Sequence, residues 1–165
     1  MSNESSHHWQ LTPGDQLTAA ELHQALELRC AVFVAEQQSP YLDVDGHDLS
    51  PSVLHLRGVQ GEDLLAYARI LGPGVIDDDV HLGRVVIAPI ARGRGLGDAL
   101  VAEALHHARL HWPDTPTTLE AQSHLVTLYA RYGFVAVGDP FDDGGIEHQR
   151  MHLPRTVTST RRTVT

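Results

Sequence analysis

Two short runs carry residue types that could do chemistry. The first is GRVVIAPIARGRGLG, Gly83 to Gly97. Arg84 to Ala88 reads as strand, and Pro89 stops it. Gly93, Gly95 and Gly97 follow at alternate positions, with Arg92 and Arg94 beside and between them, and a helical pattern begins directly after. A helix start that follows a strand presents unpaired N–H groups and a partial positive charge, which together attract an anion. Glycines let the backbone approach that anion closely. Arginines add charge-assisted donors suited to phosphate. The run reads as a phosphate or pyrophosphate clamp; a tight turn with solvent-facing arginines is the alternative. Leu96-Gly97-Asp98 is not the ending of a Walker loop, and the G-x-G-x-G spacing is not the dinucleotide pattern.

The second run is Leu128-Tyr129-Ala130-Arg131-Tyr132-Gly133-Phe134. A phenol of pKa about 10, such as that of Tyr129, can donate a proton or hydrogen bond to a forming anion. Simple packing is the alternative, because Leu125, Leu128 and Tyr132 mark an apolar stripe; for Tyr132, packing is the expectation. Candidate bases lie apart from both runs: Glu36, Glu120, His55 and His124. A histidine titrates near neutrality, but each of the four could also be an ordinary polar side chain, and a water chain could replace them all.

Other groupings are weaker. Asp43-Val44-Asp45-Gly46 resembles the start of a calcium loop, but position 48 is Asp where glycine is needed and position 54 is Leu where glutamate is needed. Its carboxylates are expected to cap the turn or to attract a cationic ligand. Glu103, His107 and His111 share a helix face without a further ligand, so a solvated face is expected and no metal. Cys30 falls on a stripe with Leu22, Leu26 and Phe33, which predicts a buried, inert thiol and argues against a covalent cysteine intermediate.

The elements that must position these residues follow from local signals. Thr18 and Glu21 form a capping box, and the helix they open runs to about Gln37. Residues 38–51 are loop. Val53–Val59 and Leu64–Leu71 form a hairpin about Gly61-Glu62-Asp63. His81–Ala88 is a third strand. Gly95–Trp112 is a long helix with Leu96, Leu100, Ala104 and Ala108 on one face, ended by Pro113 and Pro116. Thr117–Ala121 is a strand, and Leu125–Tyr132 a short helix with Gly133 as its cap. Phe134–Val137 and Ile146–Leu153 are strands, the latter after an Asp142-Asp143-Gly144-Gly145 turn. Residues 1–8 are expected to be a flexible lead and 154–165 a frayed tail, leaving one domain over 9–153. The order implies an α/β fold: a mixed sheet of about six to seven strands with helices on both faces, not a repeated Rossmann unit.

Bulk properties agree. A length of 165 residues fits one domain with a real core. A net charge of −9 disfavours nucleic acid as partner. No apolar run approaches a membrane span, and the N-terminal residues lack a signal-peptide layout. A single cysteine is simplest in a reducing cytoplasm.

The first run, Ile87-Ala88-Pro89 with Arg92 to Gly97, resembles motif A of the GNAT-type N-acetyltransferases. The second is similar to that family's L-Y-x-[RK]-x-G-F, in the right order. A narrower resemblance, to the ElaA-like branch, covers Arg29, Val32 to Val34, Glu36-Gln37, Pro40-Tyr41, Asp43, Asp45, Asp48, His55-Leu56, Ala121-Gln122, Gly145-Ile146, His148 and Met151. The resemblance implies acetyl-coenzyme A as donor and a primary amine, on a small molecule or a lysine, as acceptor. It implies that Arg92, Gly93, Arg94, Gly95, Leu96 and Gly97 hold the pyrophosphate, and that Val85, Val86 and Ile87 align the thioester at a break in the sheet. It makes Tyr129 the general acid. Glu120 lies near the place of the family's base, and Glu36 at the acceptor-side loop. Gln122 stands where many members carry Asn against the pantetheine arm. A silent coenzyme A-binding sensor is the rival from another class. Oligomeric state stays open, a homodimer included.

Overall fold

The computed structural model describes residues 6–155. The expected lead over 1–5 and tail over 156–165 lie outside the described residues. Within the described part, His8 already belongs to a strand, so the ordered domain begins before residue 9.

Among the described residues, eight strands form one sheet. They are β1 (His8–Pro13), β2 (Val53–Gln60), β3 (Asp63–Leu71), β4 (Val80–Ile87), β5 (Thr117–Gln122), β6 (Val135–Ala136), β7 (Phe141–Asp143) and β8 (Ile146–Leu153). The order is β1-β2-β3-β4-β5-β8-β6, with β7 also on β8. Among the described residues, only β4 and β5 pair in parallel. The sheet exceeds the expected six to seven strands because β1 offers only the brief alternation of Trp9 and Leu11, and β7 is too short to show any. β1 is an edge strand ending in Pro13, where a missing N–H is tolerated. β7 is three residues closing a hairpin.

The helices flank both faces. α1 (Ala19–Arg29) starts at Thr18, whose hydroxyl accepts from the Glu21 amide while the Glu21 carboxylate accepts from the Thr18 amide. The same rod continues as a π-helical stretch, Cys30–Glu36, closed by Gln37 N–H on the Val32 carbonyl. α2 (Leu96–His111) and the short α3 (Val126–Ala130) follow. Alternation along β2 separates two layers. Leu54 and Leu56 join Ala66, Ala68 and Ile70 of β3 beneath Leu100, Val101, Ala104 and Ala108 of α2. The opposite face packs Ala25 and Val32 of the first rod on Val59, Leu64 and Tyr67. Burial of the leucine, isoleucine and valine side chains among them stabilises by about 1.5–3 kcal/mol each. The second face is not purely apolar: His55, Arg57 and Arg69 are buried there too. None of the described helices is long and apolar enough to cross a membrane.

Candidate active site

The site exists because two neighbouring strands part. β4 pairs with β5 only at Val80–Thr117 and His81–Thr118. One cause lies on the other edge of β4. Tyr67 faces Val86 and Arg69 faces Gly83, so three steps of β4 oppose two of β3. The extra residue makes a bulge at Arg84, whose φ is +51°, and a bulge bends and twists its strand. Val85 to Ile87 therefore have no β5 partner. A cleft of about 930 Å³ occupies the opening, lined by Gly83 to Ile87 on one side and Leu119 to Gln122 on the other.

At one end of the cleft is the glycine turn. Gly93 and Gly95 both have φ +76°, a conformation costly for other residues. Gly95 precedes α2 without a side-chain cap, so the helix start keeps its amide donors. Buried Leu96 anchors the turn against Leu65, Ala88 and Ala91. A Cβ added at Gly93, Gly95 or Gly97 would meet no protein atom within 4 Å. This open cradle of donors fits a pyrophosphate. The arginines are engaged for now. Arg92 spans the cleft to the Glu36 carboxylate at 2.8 and 3.2 Å, and Arg94 donates to the Ile90 carbonyl at 3.1 Å.

Tyr129, on α3, lines the same cleft and is 4% exposed. Its ring meets Phe134 edge-on at 6.0 Å, and no hydrogen bond of its hydroxyl is found among the described residues. Burial pushes its pKa up to about 12, so the phenol stays protonated at neutral pH. Tyr132 does a different job: its hydroxyl donates to the Asp98 carbonyl at 2.9 Å, fastening the end of α3 to the start of α2.

The candidate bases are less free than their types implied. Glu120 lines the cleft, but Arg150 donates to it at 2.7 Å. Glu36 is held by Arg92. His55 does not reach the cleft. It is fully buried, with Nδ1 2.8 Å from the Tyr67 hydroxyl and Nε2 2.7 Å from the Asp48 carbonyl. Burial lowers its pKa, against the pull of Asp48. His124 sits exposed at the rim. Gln122 is bonded to Gln37, each amide donating to the other at 2.9 and 3.4 Å.

Beyond the bulge, the far end of the cleft is walled by an ionic cluster. Arg29 donates to Asp43 at 2.9 Å and to Asp48 at 2.7 Å, and Arg69 to Asp45 at 2.8 Å and to Asp48 at 2.9 Å. Arg84 lies 2.9 Å from Asp43. Burial alone would raise the Asp45 pKa, but the Arg69 hydrogen bond and charge outweigh it and hold it below the carboxylate range. The Asp43–Asp48 loop is thus occupied by arginines; it is not a cationic-ligand trap.

The cluster also corrects the reading of Cys30. With Arg29 wholly buried, the covered side of the first rod is Ala25, Arg29 and Val32, and Cys30 is exposed. Hydropathy put the arginine outside and the cysteine inside. Arg29, Asp43, Asp45, Asp48 and His55, which carried the narrower resemblance as separate matches, prove to be one assembly. Arg69 and Arg84 completed it unforeseen, since partners 24 and 41 residues apart leave no local pattern. His81, with Nε2 2.8 Å from Asp77, also lines the cleft unforeseen, because Asp77 sits in an irregular loop. Glu103, His107 and His111 form no metal group, and no cluster able to hold a metal occurs among the described residues.

Known proteins resemble this chain in sequence and fold. A family model described as an acetyltransferase (GNAT) domain matches residues 51–154. The protein ElaA of Escherichia coli K12 is 41% identical over 143 residues, 85% of this chain and 92% of ElaA. The crystal structure of E. coli ElaA superposes with a TM-score of 0.84 over 91% of this chain and 99% of that one, at 38% identity. That of an acyl-CoA N-acyltransferase from Pseudomonas aeruginosa gives 0.86 over 92% of this chain and 100% of the other, at 44% identity.

Proposed function

This chain belongs to the GNAT acetyltransferase family, in its ElaA-like branch, and from that premise we propose that it transfers acetyl from acetyl-coenzyme A to a primary amine by direct attack in a ternary complex. One observation carries the reading. The glycine turn, the parted strand edge of Val85 to Ile87 and the unbonded Tyr129 hydroxyl all line or adjoin one cleft. Acetyl-coenzyme A supplies an activated acyl carbon on a sulfur leaving group.

The turn from Arg92 to Gly97 binds the pyrophosphate, with Arg92 exchanging Glu36 for phosphate oxygens. The edge of Val85 to Ile87 pairs with the donor arm as a strand would, and an amide there donates to the carbonyl oxygen as charge builds. The amine nitrogen forms its bond to the acyl carbon, the carbon–sulfur bond breaks, and the sulfur keeps the electron pair. Tyr129 then acts on that sulfur. A phenol near 12 is a weaker acid than an ordinary thiol near 8.5, so its contribution is a hydrogen bond that strengthens with the charge, and full proton transfer follows only if burial raises the thiol as well. We assign the amine's proton to water in the cleft, because Glu36 and Glu120 are each held by an arginine. A reducing cytoplasm suits the exposed Cys30 thiol.

The test is incubation with acetyl-coenzyme A and a panel of small amines and lysine peptides, read by mass spectrometry. An acetylated amine, absent without protein, is expected. Donor binding with no acetylated product from any member would overturn the reading in favour of a binding module.

A further inference from the structure

Arg84 holds a backbone conformation that suits glycine, φ +51°, in the middle of a strand. An L side chain there is strained, and Gly83 stands next to it at a φ that is not left-handed. The strained position carries a large side chain nonetheless. That side chain is engaged, although its Nε makes no aligned hydrogen bond. Its Nε lies 2.9 Å from the Asp43 carboxylate, and its Nη2 donates to the Asp43 carbonyl at 3.0 Å and to Asp45 at 3.4 Å. The guanidinium lies over the Tyr41 ring at 5.2 Å. Asp43 and Asp45 are in turn fixed by Arg29 and Arg69. The bulge is thus tied to the loop that walls the acceptor end.

We propose that Arg84 is a positioning residue: it locks the β4 bulge to the 41–48 loop, so that the backbone of Val85 to Ile87 faces the thioester only when the acceptor wall is in place. The proposal rests on the acyl-transfer reading for its kinetic consequence and on geometry alone for the coupling. Two ends of the cleft then behave as one unit.

Arg84→Gly separates backbone from tether, since glycine accepts φ +51° freely while the contacts to Asp43, Asp45 and Tyr41 disappear. Arg84→Lys keeps a charge near Asp43. In Arg84→Gly, amide hydrogen exchange at 85–87 should quicken while β2 and the first half of β3 stay protected as in the parent. kcat should fall by roughly 10- to 100-fold, the scale of an ångström-level misplacement, with KM for acetyl-coenzyme A within about threefold. Arg84→Lys should recover part of kcat. Unchanged protection at 85–87 overturns the coupling, whatever the activity. Quickened exchange across the whole sheet, with no recovery in Arg84→Lys, reduces Arg84 to a general stability role and also overturns it. If the parent protein acetylates no amine, the acyl-transfer reading has failed, and the exchange measurement alone decides Arg84.

Discussion

The end of the cleft that we propose takes the donor and the end that we propose takes the acceptor are built on different principles. The donor end is mostly backbone: uncapped amides at the α2 start, open space beside glycines, and a strand edge without a partner. The acceptor end is side chains: three arginines and three aspartates, balanced in charge and largely buried, holding loop 41–48 on the sheet. A backbone site needs residues that permit a conformation. A side-chain lattice needs every partner present, because a buried charge without its partner is far costlier than the pair is favourable.

Four substitutions would break or sharpen that contrast. The largest effect is expected at Arg29, 0% exposed between Asp43 and Asp48. Arg29→Ala leaves two carboxylates without their main cation and should cost roughly 3–5 kcal/mol in urea unfolding. A loss below about 1 kcal/mol would mean that the lattice is dispensable. Tyr129→Phe comes next and acts on turnover instead of folding. It should lower kcat on the order of 10²-fold and leave the unfolding midpoint near the parent's, since the hydroxyl has no partner among the described residues to lose. Full turnover in that variant would strip Tyr129 of its role.

Gly95→Ala is a smaller change at the donor end. No protein atom obstructs the new methyl, so the folding cost is the left-handed backbone alone, roughly 1–2 kcal/mol. Affinity for acetyl-coenzyme A, by calorimetry, should drop about tenfold, because the methyl occupies the cradle. Undiminished affinity would place the pyrophosphate elsewhere. The least effect is expected at Cys30→Ser. The thiol is exposed, so stability should stay within about 0.5 kcal/mol and turnover should be unchanged; lost activity would revive a covalent cysteine route.

The same contrast explains what the sequence disclosed. The donor end was legible because glycine, proline and arginine impose geometry over a contiguous run, and Gly93 and Gly95 do hold the left-handed backbone their type permits. The hairpin and α2 were legible because Leu54, Leu56, Leu100 and Ala104 repeat with the period of their elements. The acceptor end was not. Hydropathy directs Arg29, Arg57 and Arg69 to solvent, and only the distant carboxylates reverse that. The switch from α to π geometry at Cys30 has no counterpart in the residue pattern. Glu36 and Glu120 have the right chemistry for a base, yet nothing in their neighbourhoods announced Arg92 and Arg150.

The central claim is that both ends serve one reaction, in which an amine attacks the thioester while both substrates are bound. Initial velocities of thiol release, with acetyl-coenzyme A and an active amine varied against each other, test it most directly. The account predicts intersecting double-reciprocal lines and no thiol release without amine. Parallel lines, or acetyl retained on the protein after the donor alone is added, would contradict it.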